Sequence, residues 1–294
     1  MNRFISFILI FCLLLAGCSA GQQPAQIAAT TLPVYEFTSR LCDGTDLTVT
    51  RLVTESVSCL HDYTLQVGQM QAIEGADTVI ISGAGLEEFL DEALHGAEHI
   101  IDASRGIELL CPEEGHEHAH EHDDHGHHHE SDPHIWLSPA HAAVMAKNIC
   151  SELTARYPGY ASIFAENLTQ LLTDLDALDQ YGKTQLSALS CRDIITFHDG
   201  FAYFAEHYGL HILRAVEEES GSEASAAELI ELIRMTRDHN LPAIFTEANG
   251  ADSAARIISA ETGAEIFILD MAMAGDSYFD AMYHNIDTLK EALG

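Results

Sequence analysis

One pattern, present twice, constrains this chain more than any other feature. Short apolar runs rich in β-branched residues, at 26–31, 47–53, 77–82 and 99–103, alternate with amphipathic stretches at 34–41, 65–75 and 86–96. Such alternation builds βαβ units and hence parallel sheets. It restarts with strand-like runs at 193–197, 211–216, 242–247 and 264–270, separated by helical stretches at 200–209, 225–240 and 252–263. Between the two series, Ser138 and Pro139 open a helix that Pro158 stops, serine being a good cap and proline suiting the first turn. Residues 160–189 then carry leucines at helical spacing with one interior glycine, Gly182. That stretch is longer than the usual helix of about 10–14 residues. The expected class is α/β: two βα lobes with parallel sheets, joined by a long rigid helix.

The first residues have another character. Arg3 precedes an apolar run to Ala16, too short to span a bilayer but suited to a signal-peptide core. The string LLAGC resembles a bacterial lipobox, which implies cleavage before Cys18 and lipidation of that cysteine. Two or three acyl chains on one residue suffice for stable anchoring, and an exported protein held at the cell membrane is expected. The resulting division is a signal peptide at 1–17, a lipidated tether at 18–25, an N-terminal lobe at 26–157, a linking helix at 158–190 and a C-terminal lobe at 191–294.

Charge and cysteines limit the function classes. Forty-six acidic residues against thirteen basic ones give a formal charge of -33, which repels nucleic acid and favours a cationic ligand. Cys42, Cys59, Cys111, Cys150 and Cys191 remain after processing, an odd number with no C-x-x-C pair. A zinc ribbon or dithiol redox motif has no support, at least one thiol should stay unpaired, and the connectivity of any disulfide is open.

In open α/β sheets ligands bind beyond the carboxyl ends of the strands. His61 lies in the loop leaving the strand at 47–53, and His134 stands four residues before Ser138. His198 directly follows the strand at 193–197, and Asp270 closes the one at 264–270. Three imidazoles and a carboxylate, two from each lobe, suit a tetrahedral Zn2+ site in a cleft. Asp62 and Asp199, beside two of these histidines, suit carboxylates that orient an imidazole, and Asp270 equally suits a helix cap.

The strings HDYTLQVGQMQAIEGADTVIISGAGLEEFLDEAL, DPHIWLSP, FHDGFAYFAEHYGL and IFTEANGADSAARIISAETGAEIFILD resemble the zinc-type solute-binding lipoproteins of bacterial metal-ion ABC importers, cluster A-I. The resemblance runs from about residue 26 to the end. It implies a monomer that binds metal between two lobes and delivers it to a cognate ABC permease and its ATPase. The family's histidine ligands fall on His61, His134 and His198, and Asp270 matches its last-strand carboxylate. Manganese-type relatives usually carry glutamate where His198 stands, and the histidine favours zinc. The family's proline after that aspartate is absent from LDMAMAGD, so water is an alternative fourth ligand. CLH stands where DPH is common before the first ligand. Glu247 matches a recurrent family acid and reads as a structural or hinge residue.

The segment at 114–131 holds His116, His118, His120, His122, His125, His127, His128 and His129 among Glu, Asp and Gly. Having no apolar residue larger than alanine, it cannot bury a core and should be disordered without metal. A floppy chain loses ordering entropy on binding, so these histidines should bind Zn2+ more weakly than the cleft. Zinc-type members often carry such a loop, which implies an accessory metal collector. A metallohydrolase finds no H-E-x-x-H or G-x-S-x-G string, and no enzyme is expected. A manganese or other divalent-metal carrier, a surface zinc buffer and an adhesin are the alternatives.

Overall fold

The computed structural model describes residues 26–55, 60, 63–110, 131–217, 224–248 and 252–294. In the first half, β1 (Gln26–Ala29), α1 (Leu32–Leu41), β2 (Thr48–Arg51), α2 (Val67–Glu74), β3 (Thr78–Ile81), the one-turn α3 (Asp91–Leu94) and β4 (Ile100–Asp102) form a sheet of order β2-β1-β3-β4. Then come α4 (Pro139–Arg156) and α5 (Ala161–Gln185). The second half holds β5 (Asp193–His198), α6 (Ala202–Tyr208), β6 (His211–Glu217), α7 (Ala226–Asp238), β7 (Ala243–Glu247), α8 (Ser253–Thr262), β8 (Glu265–Leu269) and α9 (Tyr278–Leu293). Its sheet has the order β6-β5-β7-β8. Every pairing in both sheets is parallel. The α/β reading with two parallel sheets and a long helix between them is therefore correct.

All five residues of β7 are buried, the polar Thr246 and Glu247 included, as expected of a strand covered on both faces. In each sheet the chain reverses its winding direction between two adjacent strands. Those are β1 and β3 in the first sheet and β5 and β7 in the second. The crevice beyond such a reversal is where open α/β sheets bind ligands.

The linking helix α5 has 25 residues, about 37 Å of helix. It buries Phe164, Leu171, Leu175, Leu178 and Gly182 on one stripe. Gly182 has a steric reason to be glycine, since a Cβ there would stand 2.5 Å from the ring of Tyr208. The main core is continuous across the halves and includes Phe37, Trp136, Phe164, Leu175, Phe204 and Tyr278, all nearly or fully inaccessible.

Three local expectations change. The helix expected at 86–96 is a 3-10 turn (Glu88–Leu90) followed by α3. The backbone enters it through Gly83, Ala84 and Gly85, all at positive φ, and the Glu87 side chain turns back to accept hydrogen bonds from the Ser82 and Gly83 amides. Ser138 holds the N-cap position of α4 but makes no side-chain cap. The third is α9, a helix that packs on α5 and β8 and has no counterpart in the alternation described above. Cys42, Cys150 and Cys191 are free thiols, whereas Cys18, Cys59 and Cys111 lie outside the described residues.

Candidate metal centre

His134 and His198 meet in the crevice between the halves. His198 is the last residue of β5, and His134 precedes the 3-10 turn Ile135–Leu137. The two imidazoles are 4% and 5% exposed, and their Nε2 atoms lie 3.4 Å apart with the ring planes at 88°.

The outer nitrogen of each ring faces a carboxylate. His134 Nδ1 is 2.8 Å from Asp132 Oδ1, and the same oxygen accepts the His134 backbone N–H at 2.9 Å. An ionised carboxylate only accepts, so this contact places the ring proton on Nδ1 and leaves the Nε2 lone pair facing His198. His198 Nδ1 lies 3.7 Å from Oε1 of Glu247, the buried last residue of β7. Glu247 and His198 thus flank the reversal point of the second sheet.

Glycine makes the convergence possible. A Cβ on Gly200 would stand 2.4 Å from Met271 Cε, 2.8 Å from His198 Cδ2 and 3.1 Å from His134 Cγ. The segment bearing His134 is moreover held largely by the second half of the chain. Tyr203 donates its hydroxyl to the Asp132 carbonyl at 2.9 Å, Trp136 donates its indole N–H to the Met271 carbonyl at 2.8 Å, and Tyr278 donates to the Trp136 carbonyl at 2.8 Å.

The remaining expected residues are placed as follows. Asp270 follows β8, one strand outside β7, and its Oδ1 accepts the Ala272 N–H at 2.7 Å while Asn285 pairs with both its backbone groups. Among the described residues there is no group of three or more His, Cys, Asp or Glu arranged to hold a metal ion. Asp199 is exposed on the turn after His198. His61, Asp62 and the histidines from His116 to His129 lie outside the described residues. Asp132 was not singled out from the sequence, although the string DPH carries the signal: an aspartate two residues ahead of a histidine can accept from both its backbone and its ring.

A family model described as "Zinc-uptake complex component A periplasmic" matches residues 27–292. The chain belongs to this family. Members similar to it include the zinc-binding lipoprotein AdcA of Streptococcus pneumoniae serotype 4, 30% identical over 95% of this chain and 58% of that protein. The high-affinity zinc uptake system protein ZnuA of Bacillus subtilis is 30% identical over 91% of this chain and 87% of that one. The chain thus spans little more than half the length of AdcA and most of ZnuA. Among solved structures, a crystal structure of ZnuA superposes with a TM-score of 0.77 at 28% identity, covering 92% of this chain and all of that one. The Zn(II)-bound ZnuA-like domain of Streptococcus pneumoniae AdcA gives 0.76 at 27% identity, covering 92% and 99%. The resemblance drawn from the sequence strings is confirmed. The chain has the fold of this zinc-uptake family, and no helix among its described residues is long and apolar enough to cross a membrane.

Proposed function

We propose that this chain captures Zn2+ outside the cytoplasm in the crevice between its halves and hands it to a membrane permease driven by an ATPase. The observation that carries the reading is the separation of His134 Nε2 and His198 Nε2, 3.4 Å. Zinc binds imidazole nitrogen at about 2.0–2.1 Å with tetrahedral angles, which puts two ligand nitrogens about 3.3–3.4 Å apart. The pair is spaced as an edge of that tetrahedron, with Asp132 and Glu247 behind it as the carboxylates that orient metal-binding imidazoles.

In this reading His61 and Asp270, from the loops after β2 and β8, complete the ligand set, with water as the alternative to Asp270. An imidazole-rich set favours zinc over manganese, whose preference is for oxygen ligands. The relatives AdcA and ZnuA are named for zinc binding and zinc uptake, which supports the same cargo. His116 to His129 serve as a weaker accessory collector, and Cys18 carries the lipid that keeps a monomeric protein at the membrane beside its permease.

Competitive Zn2+ and Mn2+ titration of the chain from residue 19 onward tests this, beside a form lacking residues 116–129 and a His134→Ala, His198→Ala double variant. One tight zinc site that survives the deletion and vanishes in the double variant is the expected result. Tight binding that leaves with the deleted segment would overturn the assignment to the crevice.

A further inference from the structure

Ser138 stands where a helix cap belongs, yet its hydroxyl points elsewhere. It lies 3.3 Å from His207 Nδ1, and His207 Nε2 lies 2.6 Å from Asp179 Oδ1 on the linking helix. The other oxygen of Asp179 accepts from Lys183 Nζ at 2.6 Å, one turn further along α5. All three members of this chain of contacts are largely shielded, Ser138 at 3% exposure and the side chains of His207 and Asp179 at 15% each. Because Asp179 accepts, His207 presents N–H at Nε2, and in the neutral ring Nδ1 then accepts the Ser138 hydroxyl.

The ends of the chain matter more than its middle. Ser138 closes the 3-10 turn that begins beside His134, and His207 sits in the last turn of α6, the helix that directly follows the His198 turn. The links from Tyr203, Met271 and Tyr278 end on the second half of the chain, whereas this one ends on α5. Gly182, on the same stretch of α5, admits the ring of Tyr208, the neighbour of His207. A local preference for capping has yielded to a tertiary contact, as happens where position matters more than local stability.

We infer that Asp179, His207 and Ser138 form a positioning relay that braces the His134 and His198 segments against the linking helix and slows release of the bound metal. The inference rests on the crevice being the zinc site. None of the three residues touches the metal; they hold the turns from which the ligands project.

The test is chelator-driven release of Zn2+ from the full mature chain, followed by stopped flow, together with the Co2+ absorption spectrum as a reporter of ligand geometry. The variants are Asp179→Asn, Ser138→Ala, His207→Leu, His207→Gln and the Ser138→Ala, His207→Leu double. Release should quicken roughly tenfold in Ser138→Ala and His207→Leu, since changes at a binding site are felt mainly in the off-rate. The double variant should be no faster than the faster single, and the Co2+ spectrum should shift in all three. Glutamine offers an amide NH2 to donate to Asp179 and a carbonyl to accept from Ser138, so His207→Gln should restore wild-type release where His207→Leu does not. Asp179→Asn keeps the shape of the helix surface and guards against a variant that fails to fold; it should quicken release as well. Release within twofold of wild type in Asp179→Asn and Ser138→Ala, or equal release in His207→Gln and His207→Leu, overturns the relay. Tight zinc retained by His134→Ala, His198→Ala overturns the crevice assignment instead.

Discussion

Asp132 Oδ1 accepts twice from His134, once from the backbone N–H at 2.9 Å and once from ring Nδ1 at 2.8 Å. One carboxylate oxygen therefore fixes the position, the tautomer and the direction of an imidazole two residues away. The partner oxygen, Oδ2, is buried without a hydrogen bond among the described residues, so the carboxylate is held for the contact it makes with His134.

Asp132→Asn should weaken zinc binding about 10–100-fold, the usual cost of removing a carboxylate behind a metal-bound histidine. The amide can turn its nitrogen toward Nδ1 and so favour the wrong tautomer. Chelator competition measures the loss; an affinity equal to wild type would show that the contact does not tune the ligand.

Gly200→Ala should lower zinc affinity by at least about tenfold, or about 1.4 kcal/mol, by pushing the two imidazoles apart. The new Cβ would meet Met271 Cε at 2.4 Å, but also His198 Cδ2 at 2.8 Å and His134 Cγ at 3.1 Å. Methionine yields easily and the rings do not. Adding Met271→Ala should thus recover stability, read by thermal melting, without recovering affinity.

Trp136→Phe should destabilise the chain by about 1–3 kcal/mol by leaving the Met271 carbonyl without its buried donor. The indole N–H reaches that oxygen at 2.8 Å from a fully buried ring. Urea unfolding of the metal-free protein reads the change. Because the bond joins the His134 segment to the loop after β8, zinc affinity should fall along with stability.

Stability should decline between pH 5 and 8 through Glu87. Burial pushes its carboxyl from an ordinary 4.5 up to about 7, against hydrogen bonds from Thr30 and from the Ser82 and Gly83 amides. The folded chain therefore holds a proton that the unfolded chain has already lost in that window. Stabilisation is complete below the unfolded value and is lost as pH rises through 7, by up to about 3 kcal/mol. Urea unfolding with chelator present, at pH 5 and pH 8, should show the slope in the wild type and a flatter one in Glu87→Gln. Self-repulsion of the acidic chain acts in the same direction, and comparing the two proteins removes it.

The strands and most helices were legible because their signals are local. Period-2 and period-3.6 patterns report which face of a segment is covered, and all eight strands read that way form the two sheets. The stretch at 86–96 misled for a physical reason: its pattern is apolar enough for a helix, but the buried carboxylate of Glu87 takes the preceding amides and bends the backbone. Ser138 was read as a cap by its type, and only the approach of His207 turned its hydroxyl away.

The order of strands and helices, the acidic charge, the family and the histidines His134 and His198 followed from the residues themselves, since each depends on neighbours in the chain or on a recurring string. The reversal points of the sheets, the 3.4 Å spacing of two nitrogens 64 residues apart, the backing of His134 by Asp132 and of His198 by Glu247, and the link from Ser138 to the helix of Asp179 did not. Those are distances across the fold, set when parallel strands bring their carboxyl ends to one crevice and the second half of the chain packs around the segment that carries His134.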